Sequence, residues 1–169
     1  YEYDYKEIID KKLKLISKSK ELINIVNKNK NNYHLINCDI TNKKLFEESL
    51  NNIKTAENDL TIIICECLLV YIEEKVTIEM ISCLTNKFSN VYLLEYDLIG
   101  PDDPFGKEMV DNLKTRDIYL KGFNDVKNIN DQINRLKKLN FEDINIVDMY
   151  HVYFKLLPLE ERKRIEKLE

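Results

Sequence analysis

The sequence predicts an α/β fold, a mostly parallel sheet covered by helices, and three observations carry that expectation. Strand-like and helix-like stretches alternate along the chain with short connections, the sequence form of βαβ crossovers. The run from Leu60 through Ile62, Ile63 and Ile64 to Cys65 is nearly continuous in apolar, β-branched residues, as suits a strand buried on both faces of a parallel sheet. Successive strand-like stretches end on an acid, Asp4, then Asp39, then Glu66, with Asp97 a weaker fourth.

Taken in order, Tyr1, Tyr3 and Tyr5 alternate with acids as in a short strand, and Ile8, Ile9, Leu13 and Ile16 then follow at helical spacing. Residues 21–32 are rich in Asn and Lys and are expected to form a low-complexity loop, because they offer little apolar surface to bury. A second strand over Tyr33 to Cys38 ends at Asp39, and Thr41 or Asn42 can cap a helix carrying Leu45, Phe46, Leu50 and Ile53. Leu60 to Glu66 is the third strand, and Glu73 to Phe88 is its helix, with acids in the first turn. Val91 to Tyr96 is the fourth strand. After the turn-rich IGPDDP, helices are predicted over Phe105 to Asp117 and Asn128 to Leu139, a late strand over Phe141 to Val147, and a charged helix opened by Pro158.

A chain of 169 residues, 44% hydrophobic, can bury one sizeable core, so one domain is expected. The net charge of -4 and the scattered lysines argue against a nucleic-acid surface, which needs a concentrated basic face. Lys11, Lys12, Lys14, Lys18 and Lys20 cluster, but they alternate with apolar residues as the wet side of a helix. Four cysteines without metal-site or secreted-framework spacing fit a reducing compartment; no disulfide is inferred, and Cys65 and Cys67 are taken as small strand hydrophobes. With neither a signal-like start nor a membrane-length apolar run, the expected location is the cytoplasm. The only glycines, Gly100, Gly106 and Gly122, lack the spacing of a phosphate or dinucleotide loop, so the chain is expected to be an incomplete nucleotide-binding domain cut at both ends.

In a parallel sheet the carboxyl ends of the strands share one edge, where open α/β folds bind ligands. Acceptor-only carboxylates at that edge suit a ligand rich in hydroxyl and amino donors, such as an adenosine cofactor. Asp4 would have the position of the acid that takes ribose hydroxyls after a second strand if a first strand and its glycine loop precede it. Glu66 and Tyr71 either line the ligand crevice or are a solvated strand end followed by a core tyrosine. His34 and His151 are read as structural or solvated, and Phe105 with Met109 as a helix stripe that either packs in the core or shapes an apolar pocket. Arg116 is left outside the site as an exposed helical arginine.

The stretches YEYDYKEIIDKKLKLIS, INCDI, ICECLLVYI, YDLIGPDDPFGKEMVDNLKTRD and VDMYHVYFKLLPLEERKRIEKLE together resemble the leucine carboxyl methyltransferases, in that family's order. ECLLVY and DPFGKEMVDNL are the most specific of them. The resemblance implies a class I, Rossmann-like methyltransferase fold, here without the N-terminal glycine-loop strand and the basic residues that hold the substrate carboxylate. Residues 1–169 are then the central and C-terminal part of a methyltransferase domain, expected to be inactive alone. It implies S-adenosyl-L-methionine as cofactor, with Asp4 on the ribose, Asp39 and Ile40 on the adenine, Glu66 near the methionine end and Tyr71 as the catalytic residue facing the substrate.

The implied substrate is the C-terminal leucine of the type-2A protein phosphatase catalytic subunit, with neither nucleic acid nor membrane as partner and no metal. A peptide carboxyl group with a pKa of ~3.5 is already a nucleophile at neutral pH, so no general base and no catalytic histidine is required. Catalysis is then alignment and exclusion of water. Two other readings stay open: a related methyltransferase of transfer-RNA wybutosine synthesis, and a non-catalytic adenosine-binding or protein-interaction module.

Overall fold

In the computed structural model, which describes residues 1–56 and 59–168, the chain forms two compact units, the first spanning Tyr1–Lys127 and the second beginning at Asn128.

In the first unit, strand β1 (Glu2–Asp4) leads into helix α1 (Lys6–Ile16). The helix is supported by a Lys6–Asp10 pair at 2.6 Å, four residues apart on one face, and buries Ile9. Helix α2 (Lys20–Lys28) follows, where the sequence predicts a loop. The Asn and Lys content hides a helical code: the Ser19 hydroxyl accepts from the Leu22 N–H at 3.3 Å, and Ile23 and Val26 are half-buried three residues apart. Strand β2 (Leu35–Asn37) pairs parallel with β1, Glu2 opposite Leu35 and Asp4 opposite Asn37. The Glu2 carboxylate at the start of β1 binds the Lys12 ammonium and accepts from the Tyr33 hydroxyl at 2.9 Å, tying α1 to the ladder.

Helix α3 (Lys43–Leu50) is capped by the Asn42 side chain, which accepts from the Leu45 N–H at 3.2 Å, and buries Phe46 and Leu50. Strand β3 (Leu60–Glu66) pairs parallel with β4 (Asn90–Tyr96), joined by a short 3₁₀ turn (Leu69–Tyr71) and helix α4 (Glu74–Lys87). Helix α4 packs on α3 and supplies Thr77, Met80, Ile81 and Cys83 to the core. Helix α5 (Pro104–Lys114) starts on an Asp103 cap to the Gly106 N–H at 2.6 Å. Gly106 has no room for a side chain, since a Cβ would stand 2.3 Å from the Gly100 carbonyl oxygen.

Among the described residues every strand pair is parallel, as predicted, but the strands form two separate two-stranded ladders rather than one sheet. Nor is β3 buried on both faces. Thr61, Ile63 and Cys65 turn inward, whereas Leu60, Ile62 and Ile64 are exposed, Ile62 by 60%, next to Tyr92, Leu94 and Tyr96 of β4. The β-branched run is real; what differs is that the described helices cover one face only.

In the second unit, α6 (Ile129–Lys138) is capped by Asn128, whose Oδ1 accepts from the N–H groups of Asn130 and Asp131 at 2.9 and 3.1 Å. The predicted strand over Phe141 to Val147 does not form: these residues belong to neither ladder, and alternation alone cannot make one. Helix α7 (Met149–His151) passes into a π-helical turn (Val152–Leu156), and α8 (Leu159–Glu166) follows Pro158. The Arg162 guanidinium lies 6.0 and 5.9 Å from the Tyr153 and Phe154 ring centres, holding α8 to the turn.

The one-sided burial of β3 makes a direct prediction for urea unfolding. Ile81, with no exposed surface, should lose about 2–5 kcal/mol as Ile81→Ala. Ile62→Ala, on the open face, should cost less than about 1 kcal/mol. Equal losses would mean that both faces of β3 are buried in the chain in solution.

Candidate functional site

The β1–β2 ladder sets the first half of the site. Because Asp4 stands opposite Asn37 and the Cys38 N–H donates to the Asp4 carbonyl at 3.1 Å, the chain leaving β2 stays against the end of β1. Asp4 and Asp39 therefore come to one edge, as the acid pattern predicts. Asp4 is half-buried, and its Oδ1 accepts from the Tyr5 N–H at 2.8 Å. Asp39 sits in a tight Asx turn: its Oδ1 accepts from the Thr41 N–H at 2.9 Å, from the Thr41 hydroxyl at 2.6 Å and, weakly, from the Tyr5 hydroxyl at 3.4 Å. These hydrogen bonds, the Thr41 hydroxyl foremost, hold the Asp39 carboxyl below the usual carboxylate range, while burial first and the Asp39 charge second push the Tyr5 phenol up. Among the described residues, the Oδ2 atoms of Asp4 and Asp39 accept no hydrogen bond and remain open acceptors.

A shallow hollow of about 510 Å³ lies at this edge, lined by Tyr5, Lys6, Asn37, Cys38, Asp39 and Leu45 among others. It includes Asp39 but neither Asp4 nor Ile40; Ile40 is half-buried in the Asx turn between Asp39 and Thr41. Tyr5, Cys38 and Thr41 are not among the site residues expected from the sequence, and Thr41, expected there as a candidate cap, leaves the capping of α3 to Asn42. The Asp-x-Thr spacing at Asp39 was the signal available for Thr41.

The second half lies at the end of the β3–β4 ladder. Glu66 closes β3 opposite Tyr96 and is exposed; its carboxylate takes no hydrogen bond from the described residues. Cys67 then turns the chain in a left-handed conformation, φ 47°, and is exposed, which corrects its reading as a strand hydrophobe; Cys65 is buried as expected. The 3₁₀ turn is fixed by Leu69, Val70 and Ile72, all buried, while Tyr71 between them is 47% exposed. Tyr71 is therefore not a core tyrosine but a half-exposed one.

The His34 ring stacks on Tyr1 with centres 4.6 Å apart, and in the second unit His151 ends α7 and is exposed. Met109 and Leu113 pack on the core of Val70, Leu120 and Phe123, whereas Phe105 is 75% exposed. Phe105, Met109 and Arg116 line an open apolar hollow of about 250 Å³ along α5. Among the described residues no group of three or more His, Cys, Asp or Glu side chains could hold a metal ion, and no helix is long and apolar enough to cross a membrane.

No protein-family model matches the chain. Individual proteins do. The chain is 33% identical over 109 residues to leucine carboxyl methyltransferase 1 of Bos taurus, covering 64% of this chain and 32% of that protein. It is 30% identical over 109 residues to leucine carboxyl methyltransferase 1 of Yarrowia lipolytica, again 64% of this chain and 34% of that protein. The human tRNA wybutosine-synthesizing protein 4 is 28% identical over 109 residues, 64% of this chain and 16% of that protein. The chain thus spans about a third of the length of the leucine carboxyl methyltransferases it matches. Over these 109 residues the chain is therefore similar in sequence to the leucine carboxyl methyltransferases.

Proposed function

We propose that the protein is an S-adenosyl-L-methionine-dependent methyltransferase of class I, Rossmann-like fold that esterifies the C-terminal leucine carboxylate of a type-2A protein phosphatase catalytic subunit in the cytoplasm. The observation that carries this reading is the pair of open carboxylate oxygens, Asp4 Oδ2 and Asp39 Oδ2, at one strand edge, with Asp39 lining a hollow there. Acceptors without donors fit a nucleoside, whose ribose hydroxyls and adenine amino group are donors. Asp4 would hold the ribose, Asp39 with Ile40 the adenine, and Glu66 the methionine end. When bound, the cofactor would supply an electrophilic methyl group.

The residues of this chain then have positioning work. Thr41 orients and charges Asp39, so its open oxygen meets the ligand without rearrangement. Tyr71 is half-exposed, and its hydroxyl would donate to the acceptor carboxylate and fix which oxygen faces the methyl group. No proton need leave a carboxylate at neutral pH, so the reaction asks for no general base.

The matching transfer-RNA-modifying relative supports a second reading, wybutosine modification. The net charge of -4 favours the peptide acceptor, because a transfer RNA needs a basic surface. Offering the intact protein a leucine-ended peptide and a transfer RNA side by side separates the two readings, and binding of cofactor with transfer to neither would mark a non-catalytic module.

By titration calorimetry, Glu66→Ala, Asp4→Ala and Asp39→Ala should each weaken S-adenosylmethionine binding by about 1–3 kcal/mol with the fold intact. Unchanged affinity in all three would overturn the site. Tyr71→Phe keeps the ring and should lower turnover more than cofactor affinity; wild-type kinetics would remove Tyr71 from the site.

Cofactor affinity should also depend on pH through Asp39. Its carboxyl is held low, so the charged form and its contribution persist above that lowered value and are lost only as pH falls through it. Thr41→Val removes the chief hydrogen bond, raises the Asp39 carboxyl toward its ordinary range, and should move the acid loss of affinity to higher pH. An identical acid limb in Thr41→Val and wild type would show that Asp39 does not govern binding.

A further inference from the structure

We propose that Asp97 is a positioning residue for methyl transfer: it fixes the turn that carries Tyr71, which follows Glu66 at the end of β3, and is not itself a ligand-binding acid. The inference rests on the reading of Glu66 and Tyr71 as site residues given above. From the sequence, Asp97 is the fourth of the strand-end acids, but its chemistry in the structure differs from that of the others. Both of its oxygens are occupied. Its Oδ2 accepts from the Val70 N–H at 2.8 Å, across from the end of β4 to the 3₁₀ turn, and its Oδ1 accepts from the Leu98 N–H at 2.9 Å. Asp4, Asp39 and Glu66 each keep an oxygen that no described residue uses.

The turn needs this partner. The first N–H groups of a helical turn have no acceptor within it, and Leu68, at the capping position, has no side chain able to accept. Val70 is 5% exposed, so water cannot replace a missing acceptor. Cys67, just before the turn, adopts a left-handed conformation that a non-glycine residue keeps only when its surroundings enforce it. Enforcement comes from two sides. The exit of β4 supplies the Asp97 carboxylate and the Tyr96 carbonyl, which accepts from the Cys67 N–H at 2.7 Å. Opposite, the Gly122 N–H donates to the Val70 carbonyl at 2.9 Å. Gly122 can approach so closely only because it has no Cβ, which would stand 2.4 Å from the Ile72 oxygen and 2.6 Å from the Leu69 oxygen.

Tyr71 is thus half-exposed on a turn whose neighbours are clamped, an arrangement that fixes the backbone from which its side chain projects without burying it. Of the two clamps, the Asp97 contact is the one made by a side chain and can be removed without changing the backbone. Its loss should loosen the turn and misplace the Tyr71 hydroxyl, whereas Glu66 remains in the β3 ladder.

The test uses the intact protein with S-adenosylmethionine and whichever acceptor the wild type methylates, a leucine-ended peptide or a transfer RNA. Asp97→Ala should lower kcat by about tenfold or more, the loss of one buried hydrogen-bond acceptor, while the cofactor Kd stays within about twofold. Amide exchange at Val70 and Tyr71 should accelerate in the same variant. Asp97→Asn, which keeps an oxygen able to accept from Val70, should restore most of the turnover, and Asp97→Ser, too short to bridge, should not; these two decide the matter if the alanine variant does not fold. Faster exchange with unchanged kcat would make Asp97 a structural cap only and overturn the proposal. Glu66→Ala run alongside separates the two levels: if it loses cofactor while Asp97→Ala and Asp97→Ser turn over normally, this inference alone fails. If Glu66→Ala binds cofactor normally, or the wild type methylates neither acceptor, the site reading fails and takes this inference with it.

Discussion

Parallel pairing is the constraint from which the rest follows. A parallel ladder puts the carboxyl ends of both strands at the same edge, so the residues leaving β1 and β2 must meet, and so must those leaving β3 and β4. Asp4 and Asp39 come together because Asp4 is opposite Asn37; Glu66 and Asp97 lie one step apart because Glu66 is opposite Tyr96. The ladder decides where the acids stand. Which acid can take a ligand is decided by hydrogen bonds: Asp97 has spent both oxygens on the backbone, Asp39 has spent one, and Glu66 none.

Two local devices convert those positions into ordered groups. The Asx turn at Asp39 uses Thr41 to keep the carboxylate charged and aimed. Around Tyr71, buried Leu69, Val70 and Ile72 anchor a turn too short to be stable alone, and the left-handed Cys67 is held by its bond to Tyr96. Both devices suit a reaction that asks for alignment of two reactants rather than for acid or base chemistry. The open face of β3 and β4, with Ile62, Ile64, Tyr92 and Leu94 exposed, is a different matter, since a parallel ladder ordinarily has both faces covered.

Most of the elements of the first unit were readable from the sequence because periodicity and capping agree: Asn42 before Leu45 and Phe46, Asp103 before Pro104, the β-branched run at Leu60 to Glu66. What misled was composition. Asn and Lys around α2 suggested a loop, but the Ser19 cap and the half-buried pair Ile23 and Val26 outweighed them. Alternation at Phe141 to Val147 suggested a strand, yet a strand exists only through a neighbour, which no local pattern supplies. The same limit applied to burial, where Ile62 and Ile64 look interior by type and are exposed by location. For the site, the sequence showed which acids end strands but could not show that Asp97 is consumed by Val70, a contact across 27 residues.

The central claim, that the carboxyl edges of these ladders hold S-adenosylmethionine, is tested most directly by photo-crosslinking the labelled cofactor to the intact protein and mapping the modified peptides. Label should fall on the peptides containing residues 37–41 and 66–71, and be lost when unlabelled cofactor is in excess. Competable label confined to other segments, such as the apolar face of α5 around Phe105 and Met109, would contradict the account.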